Sequence, residues 1–271
     1  MTWDAVHTVR LPSGVSLAYR TSAPSSADAP TRAPLLLLHA WAESSRSFGR
    51  LLPLLPAGAP VLAPDLPGHG ASDKPRAGYA LAQVSDDVVA LLDALDVPSA
   101  LLVGSSSGGY VAQQVAVDHP DRVDGLVLVG APRSLHGRPP FADDVDALRD
   151  PVDPAWVRAS LDWFPRHVHV PEEYIEDRVR DGTAMPAAVW AATLAGLSEA
   201  RPPTETGVIR APALIIRGSR DQLVLRQEHD ALAAAIPGSR LVAYADTGHL
   251  VLWERPERIA ADIARFLADL S

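Results

Sequence analysis

The stretch Ala100-Leu101-Leu102-Val103-Gly104-Ser105-Ser106-Ser107-Gly108-Gly109-Tyr110-Val111-Ala112-Gln113-Gln114-Val115-Ala116 decides the fold. An apolar run suited to a buried strand passes through a glycine-flanked serine into a helical pattern. Gly and Ser are common in loops, so G-x-S-x-G says little by itself. Placed between a strand and a helix it predicts a nucleophile elbow, a sharp turn that lifts one hydroxyl above the sheet edge. The central residue occupies a strained backbone position, and small neighbours let strand and helix approach. The first helix amides and the helix dipole favour negative charge at the same point. Of the three serines only Ser106 has glycine two positions before and two after, so it is the candidate nucleophile. Ser105 is a small spacer, and Ser107 is expected to lend its backbone N–H rather than its hydroxyl.

On either side of the elbow, strands and helices alternate. Val6 to Arg10 and Val15 to Tyr19 bracket Leu11-Pro12-Ser13-Gly14 as an antiparallel hairpin. Thr21 to Ala33, rich in Ser, Pro and Ala, predicts an exposed loop. Leu35 to Leu38 and Val61 to Pro64 are short apolar runs suited to strands covered on both faces. Ala82 to Leu95 has helical spacing at Val84, Val88, Leu91, Leu92 and Leu95. A strand over Gly125 to Gly130 follows the elbow helix. Farther on come a strand at Ala213 to Ile216, a helix near Arg226 to Ala235, a strand at Arg240 to Tyr244 and a helix from about Glu257 to Leu270. This rhythm predicts an α/β fold with a mostly parallel, doubly wound sheet.

The alternation breaks from about Arg133 to Gly207. Short helical patterns punctuated by proline replace it, carrying Phe141, Trp156, Trp163, Phe164, Tyr174 and Trp190. A structureless insert of that length is implausible, so the segment predicts a helical cap over the strand C-termini, where open α/β sheets bind ligands. The expected division is a core of residues 1–132 and 208–271 with a cap of residues 133–207. Some cap aromatics must form the lid's own core. Trp163, Phe164 and Trp190 are the expected pocket residues, lining a mainly apolar site.

A serine hydroxyl needs a base within hydrogen-bond reach, itself oriented by an acid. Asp221, in Arg217-Gly218-Ser219-Arg220-Asp221-Gln222, follows the strand at Ala213 to Ile216. His249, in Asp246-Thr247-Gly248-His249, follows the strand ending at Tyr244. Both therefore stand at the sheet edge that carries Ser106, in the order Ser, Asp, His. Asp221 also stands where a helix N-cap would. Donors for a developing oxyanion are expected from the backbone N–H groups of Ser107 and of Trp41, in the loop His39-Ala40-Trp41-Ala42.

These segments resemble the α/β-hydrolase superfamily, in the capped group that includes enol-lactonases, carboxylesterases and cofactor-free haloperoxidase-like enzymes. The resemblance covers essentially the whole chain. Beside the elbow it rests on His39-Ala40-Trp41, on Asp65-Leu66-Pro67-Gly68-His69-Gly70-Ala71-Ser72 and on the loops of Asp221 and His249. Ala40 departs from the usual glycine. The resemblance implies a serine hydrolase acting on an ester or lactone through an acyl-enzyme on Ser106. Two alternatives stay open: a tailoring enzyme of the same fold (C–C bond or thioester hydrolysis, or cofactor-free oxygenation) and a slow-turnover ligand receptor. His39 and His69 are expected to shape their loops.

The chemistry requires no metal and no cofactor. His167-Val168-His169 lacks a third ligand, and Asp143, Asp144 and Asp146 suit a solvated helix start. There are no cysteines, which excludes disulfides and thiolate metal sites. A net charge of −9 disfavours nucleic acid and anionic membranes as partners and leaves a small-molecule substrate. With neither a secretory signal nor a membrane-length apolar run, the expected location is cytoplasmic. Oligomeric state is left open.

Overall fold

The computed structural model describes residues 2–22, 34–56 and 58–270. Among these, eight strands form one sheet: β1 (His7–Arg10), β2 (Ser16–Ser22), β3 (Leu35–Leu38), β4 (Val61–Pro64), β5 (Ala100–Ser105), β6 (Val123–Val129), β7 (Ala213–Gly218) and β8 (Arg240–Tyr244). Their order is β1-β2-β4-β3-β5-β6-β7-β8. The first two strands pair antiparallel, and β2 is antiparallel to β4. From β4 onward every pair is parallel. The expected hairpin is present, closed by Leu11 N–H donating to the Val15 carbonyl at 2.8 Å. Strand β2 runs to Ser22, farther than the alternation suggested, because it continues along β4 beyond the end of β1. The remainder of the expected Ser/Pro/Ala loop, residues 23–33, lies outside the described residues.

Strand side chains alternate between faces, and here both faces are covered. Leu35, Leu37, Leu101, Val103, Leu214 and Ile216 join one apolar cluster. Leu36, Leu38, Leu102, Leu126, Leu128 and Ile215 join the other. On the second face lie α1 (Leu81–Ala94), α2 (Ser107–Asp118) and α8 (Arg226–Ala235), which contribute Val88, Tyr110, Val115 and Leu232. On the first lies α10 (Pro256–Asp269), with Ile259, Ile263 and Phe266. Double coverage explains why the strands read as unbroken apolar runs.

Between β6 and β7 the chain forms α3 (Ala142–Asp146), α4 (Pro154–Ser160), α5 (Glu172–Thr183), α6 (Ala187–Ser198) and α7 (Pro203–Thr206), with no strand among the described residues. Val157, Ile175, Val179, Val189 and Trp190 of these helices belong to the same apolar cluster as the first sheet face. The helical segment is thus packed onto the core. A short α9 (Val251–Glu254) precedes α10. No helix among the described residues is long and apolar enough to cross a membrane.

Candidate active site

Parallel strands end on one edge, so the loops after β3, β5, β7 and β8 converge there. The turn after β5 is built as its composition requires. Ser106 has φ 49° and ψ −118°, a left-handed conformation that costs about 1–3 kcal/mol and persists only where its surroundings impose it. Its N–H donates to the Val129 carbonyl at 2.8 Å, and its carbonyl accepts from Gly109 N–H at 2.9 Å. Glycine is needed on both sides because the backbones touch: a Cβ on Gly104 would meet Gly109, and one on Gly108 would meet the Leu38 carbonyl.

The three residues expected to act together are brought together. Ser106 Oγ lies 2.9 Å from His249 Nε2. On the other side of the ring, His249 Nδ1 lies 2.8 Å from Asp221 Oδ2. An Nδ1–H donated to the carboxylate leaves Nε2 as an acceptor facing the hydroxyl. The second oxygen of Asp221 accepts the Leu223 and Val224 amides, both at 2.9 Å. Burial alone would raise the Asp221 carboxyl; the His249 hydrogen bond and charge, with those two amides, outweigh it and hold the group below its ordinary value. Asp221 thus organises its turn and faces the imidazole at once. Glu254 on α9 braces the histidine loop, accepting Gly248 N–H at 3.0 Å and His167 N–H at 3.1 Å.

At the loop after β3 the geometry departs from the expectation that Ser107 offers only its backbone. Trp41 N–H donates to Ser107 Oγ at 2.6 Å. That amide belongs to a loop with no ladder partner, and the nearest acceptor is the hydroxyl one residue past Ser106. Ser107 itself opens α2, so its N–H is one of the helix amides with no partner in its own helix. His39 and His69 shape their loops. Leu66 N–H donates to His39 Nε2 at 2.9 Å, and the Nδ1 atoms of His39 and His69 face the Ala40 and Pro67 carbonyls. Burial, with the neighbouring His39 adding to it, holds His69 down to about 3.

Above Ser106 lies a largely apolar cavity of about 100 Å³. The core contributes Ala40, Trp41, Ser106, Ser107 and His249, and the helical segment contributes Leu135, Phe141, Phe164, Leu194 and Leu197. Phe164 lies as expected, its ring centroid 5.6 Å from that of His249. Trp163 and Trp190 do not line the cavity and are corrected to packing roles. Trp163 stacks on Phe141 at 4.6 Å. Trp190 is 0% exposed, donates its indole N–H to the Gly182 carbonyl at 2.9 Å and sets its edge against Trp41 at 4.9 Å. An indole buried with its N–H satisfied suits a helix interface better than a pocket wall. Asp143 and Asp146 pair with Arg138 at the surface.

Among the lining residues that escaped the sequence reading are Glu43, Arg178 and Trp253. One signal was available. In α5 the buried positions Tyr174, Ile175, Arg178 and Val179 recur at helical spacing, which puts the arginine on the apolar face.

Sheet, elbow and the Ser–His–Asp chain together define the class, an α/β hydrolase with a serine at the elbow. The chain belongs to the alpha/beta hydrolase fold family, whose model matches residues 33–256. It is 30% identical over 240 residues to the pimeloyl-[acyl-carrier protein] methyl ester esterase of Neisseria meningitidis, covering 83% of this chain and 89% of that one. It is 29% identical over 254 residues to the 2-hydroxymuconate semialdehyde hydrolase of a Pseudomonas species, covering 87% of each. Among solved structures, the esterase RhEst1 from Rhodococcus sp. superposes with a TM-score of 0.83 at 27% identity, over 99% of this chain and 100% of that one.

Proposed function

We propose that the protein is a serine hydrolase that cleaves a small or medium carboxylic ester or lactone through an acyl-enzyme on Ser106. The observation that carries this reading is the unbroken hydrogen-bond chain from Ser106 Oγ through His249 to the buried Asp221, on the floor of an apolar cavity. As Ser106 Oγ bonds to the acyl carbon, His249 Nε2 takes its proton, and the imidazolium is stabilised by Asp221. The negative charge moves to the former carbonyl oxygen, held by the Ser107 and Trp41 amides. Collapse breaks the bond to the leaving oxygen, which receives the proton from His249. Water then attacks the acyl carbon, gives its proton to His249 and releases the acid, and the proton returns to Ser106.

The similarity to an esterase on the sequence side and to RhEst1 on the structural side supports ester chemistry. The 2-hydroxymuconate semialdehyde hydrolase favours a second reading, hydrolysis of a C–C bond by the same residues. Kinetics on 4-nitrophenyl esters test the assignment. Ser106→Ala and His249→Ala should each lower kcat by at least about 10⁴-fold, and Asp221→Asn by on the order of 10³- to 10⁴-fold. Near-parental kcat in any of the three rejects the role given to that residue.

A further inference from the structure

Arg178 is the side chain the ester chemistry leaves without a task. It is 6% exposed, lines the same cavity as Ser106 and His249, and sits 5.6 Å from the Trp190 ring centroid. Among the described residues no acceptor hydrogen-bonds its guanidinium, and the buried Nη1 has no partner. Two acidic groups act on it through space, Glu43 and Asp181. Asp181 is already committed, accepting the Ser44 hydroxyl at 2.5 Å and pairing with Arg46. Glu43, 3% exposed, lines the cavity too, without closing a contact pair with Arg178, and its Oε2 is also unpartnered.

A guanidinium offers five donors in a planar fork and has no neutral form to retreat to. Leaving it buried without an acceptor carries a desolvation cost, and buried polar groups are otherwise almost always satisfied. An occupant that supplies the missing acceptor removes that cost. The rest of the wall is mainly apolar, with Leu135, Phe141, Phe164, Leu194 and Trp253. The complementary molecule is therefore a short apolar chain with an anionic end.

We propose that Arg178 is a carboxylate subsite, so that the preferred substrate is a short ester or lactone bearing a free carboxylate. This rests on the assignment of Ser106 as nucleophile. A carboxylate matches the fork with two parallel hydrogen bonds. A phosphate monoester would bring close to two negative charges against one guanidinium, beside Glu43. The same carboxylate of Glu43 opposes any anion, so it limits how tightly the subsite holds its ligand.

Two matched comparisons test the proposal. In turnover, mono(4-nitrophenyl) glutarate is set against 4-nitrophenyl pentanoate, of equal acyl length. The parent should favour the glutarate ester by at least tenfold in kcat/KM. Arg178→Gln should abolish that preference, Arg178→Lys should keep part of it, and Glu43→Gln should raise it. In binding, Ser106→Ala is titrated calorimetrically with monomethyl glutarate and with dimethyl glutarate. The anion should bind at least tenfold more tightly, and adding Arg178→Gln should remove the difference. Equal use of the two 4-nitrophenyl esters, or equal binding of the two methyl esters, overturns the subsite and leaves the nucleophile assignment standing. Failure to hydrolyse either 4-nitrophenyl ester counts against the nucleophile assignment, and the binding comparison still decides the subsite. Neither parent comparison requires Arg178→Gln to fold.

Discussion

On the proposed mechanism, the Ser107 hydroxyl competes with the developing oxyanion for one donor. It accepts the Trp41 amide at 2.6 Å, the same amide assigned to the oxyanion. A charge-assisted hydrogen bond is roughly twice as strong as a neutral one, so a developing oxyanion can draw that N–H away. The exchange still forfeits a neutral bond worth about 1 kcal/mol, or about fivefold in rate. Ser107→Ala should therefore raise kcat about two- to fivefold with KM little changed, measured at saturating 4-nitrophenyl ester. A fall in kcat would mean that the hydroxyl instead holds the Trp41 loop in place. The sequence could mark Ser107 as the residue after the nucleophile. It could not show where the hydroxyl points, because that depends on a loop 66 residues away in the chain.

At the scale of elements, the helical segment divides its aromatics between wall and support. Phe164 faces the cavity beside His249, while Trp190 of α6 is sealed against α5 and Trp41. Phe164→Ala should alter the kcat/KM ratio between short and longer acyl esters by about tenfold, within the roughly 1–3 kcal/mol that a few lost methylenes are worth, with little change in Tm. Trp190→Ala should instead cost about 3–5 kcal/mol of stability, seen in a denaturant melt. The reverse pattern, a selectivity change at Trp190 and a stability loss at Phe164, would exchange the two assignments. The sheet and its helices were legible because double burial writes itself as apolar runs such as Leu35 to Leu38. Helical spacing likewise marked α1, α8 and α10 to within a residue or so. Composition marked the inserted segment as aromatic. Which indole meets a substrate depends on where an N–H finds its acceptor, and for Trp190 that is the Gly182 carbonyl in the neighbouring helix.

For the whole molecule, the fold's contribution is convergence. Ser106, Asp221 and His249 are spread over 143 positions of sequence, yet each follows a parallel strand, and one sheet edge collects them within hydrogen-bond reach. That placement could be read from strand patterns and the order Ser, Asp, His. The presence of Glu43 and Arg178 on one cavity wall could not, since it arises only when α5 packs over the loop after β3. The central claim is that Ser106, activated by His249, forms a covalent acyl intermediate. Intact-protein mass spectrometry after reaction with an alkyl fluorophosphonate, followed by peptide mapping, tests it most directly. A single adduct on Ser106, formed by the parent and by Ser105→Ala, absent from Ser106→Ala and strongly slowed in His249→Ala, is the predicted result. An adduct on Ser105 or Ser107, or labelling that survives Ser106→Ala, would contradict it.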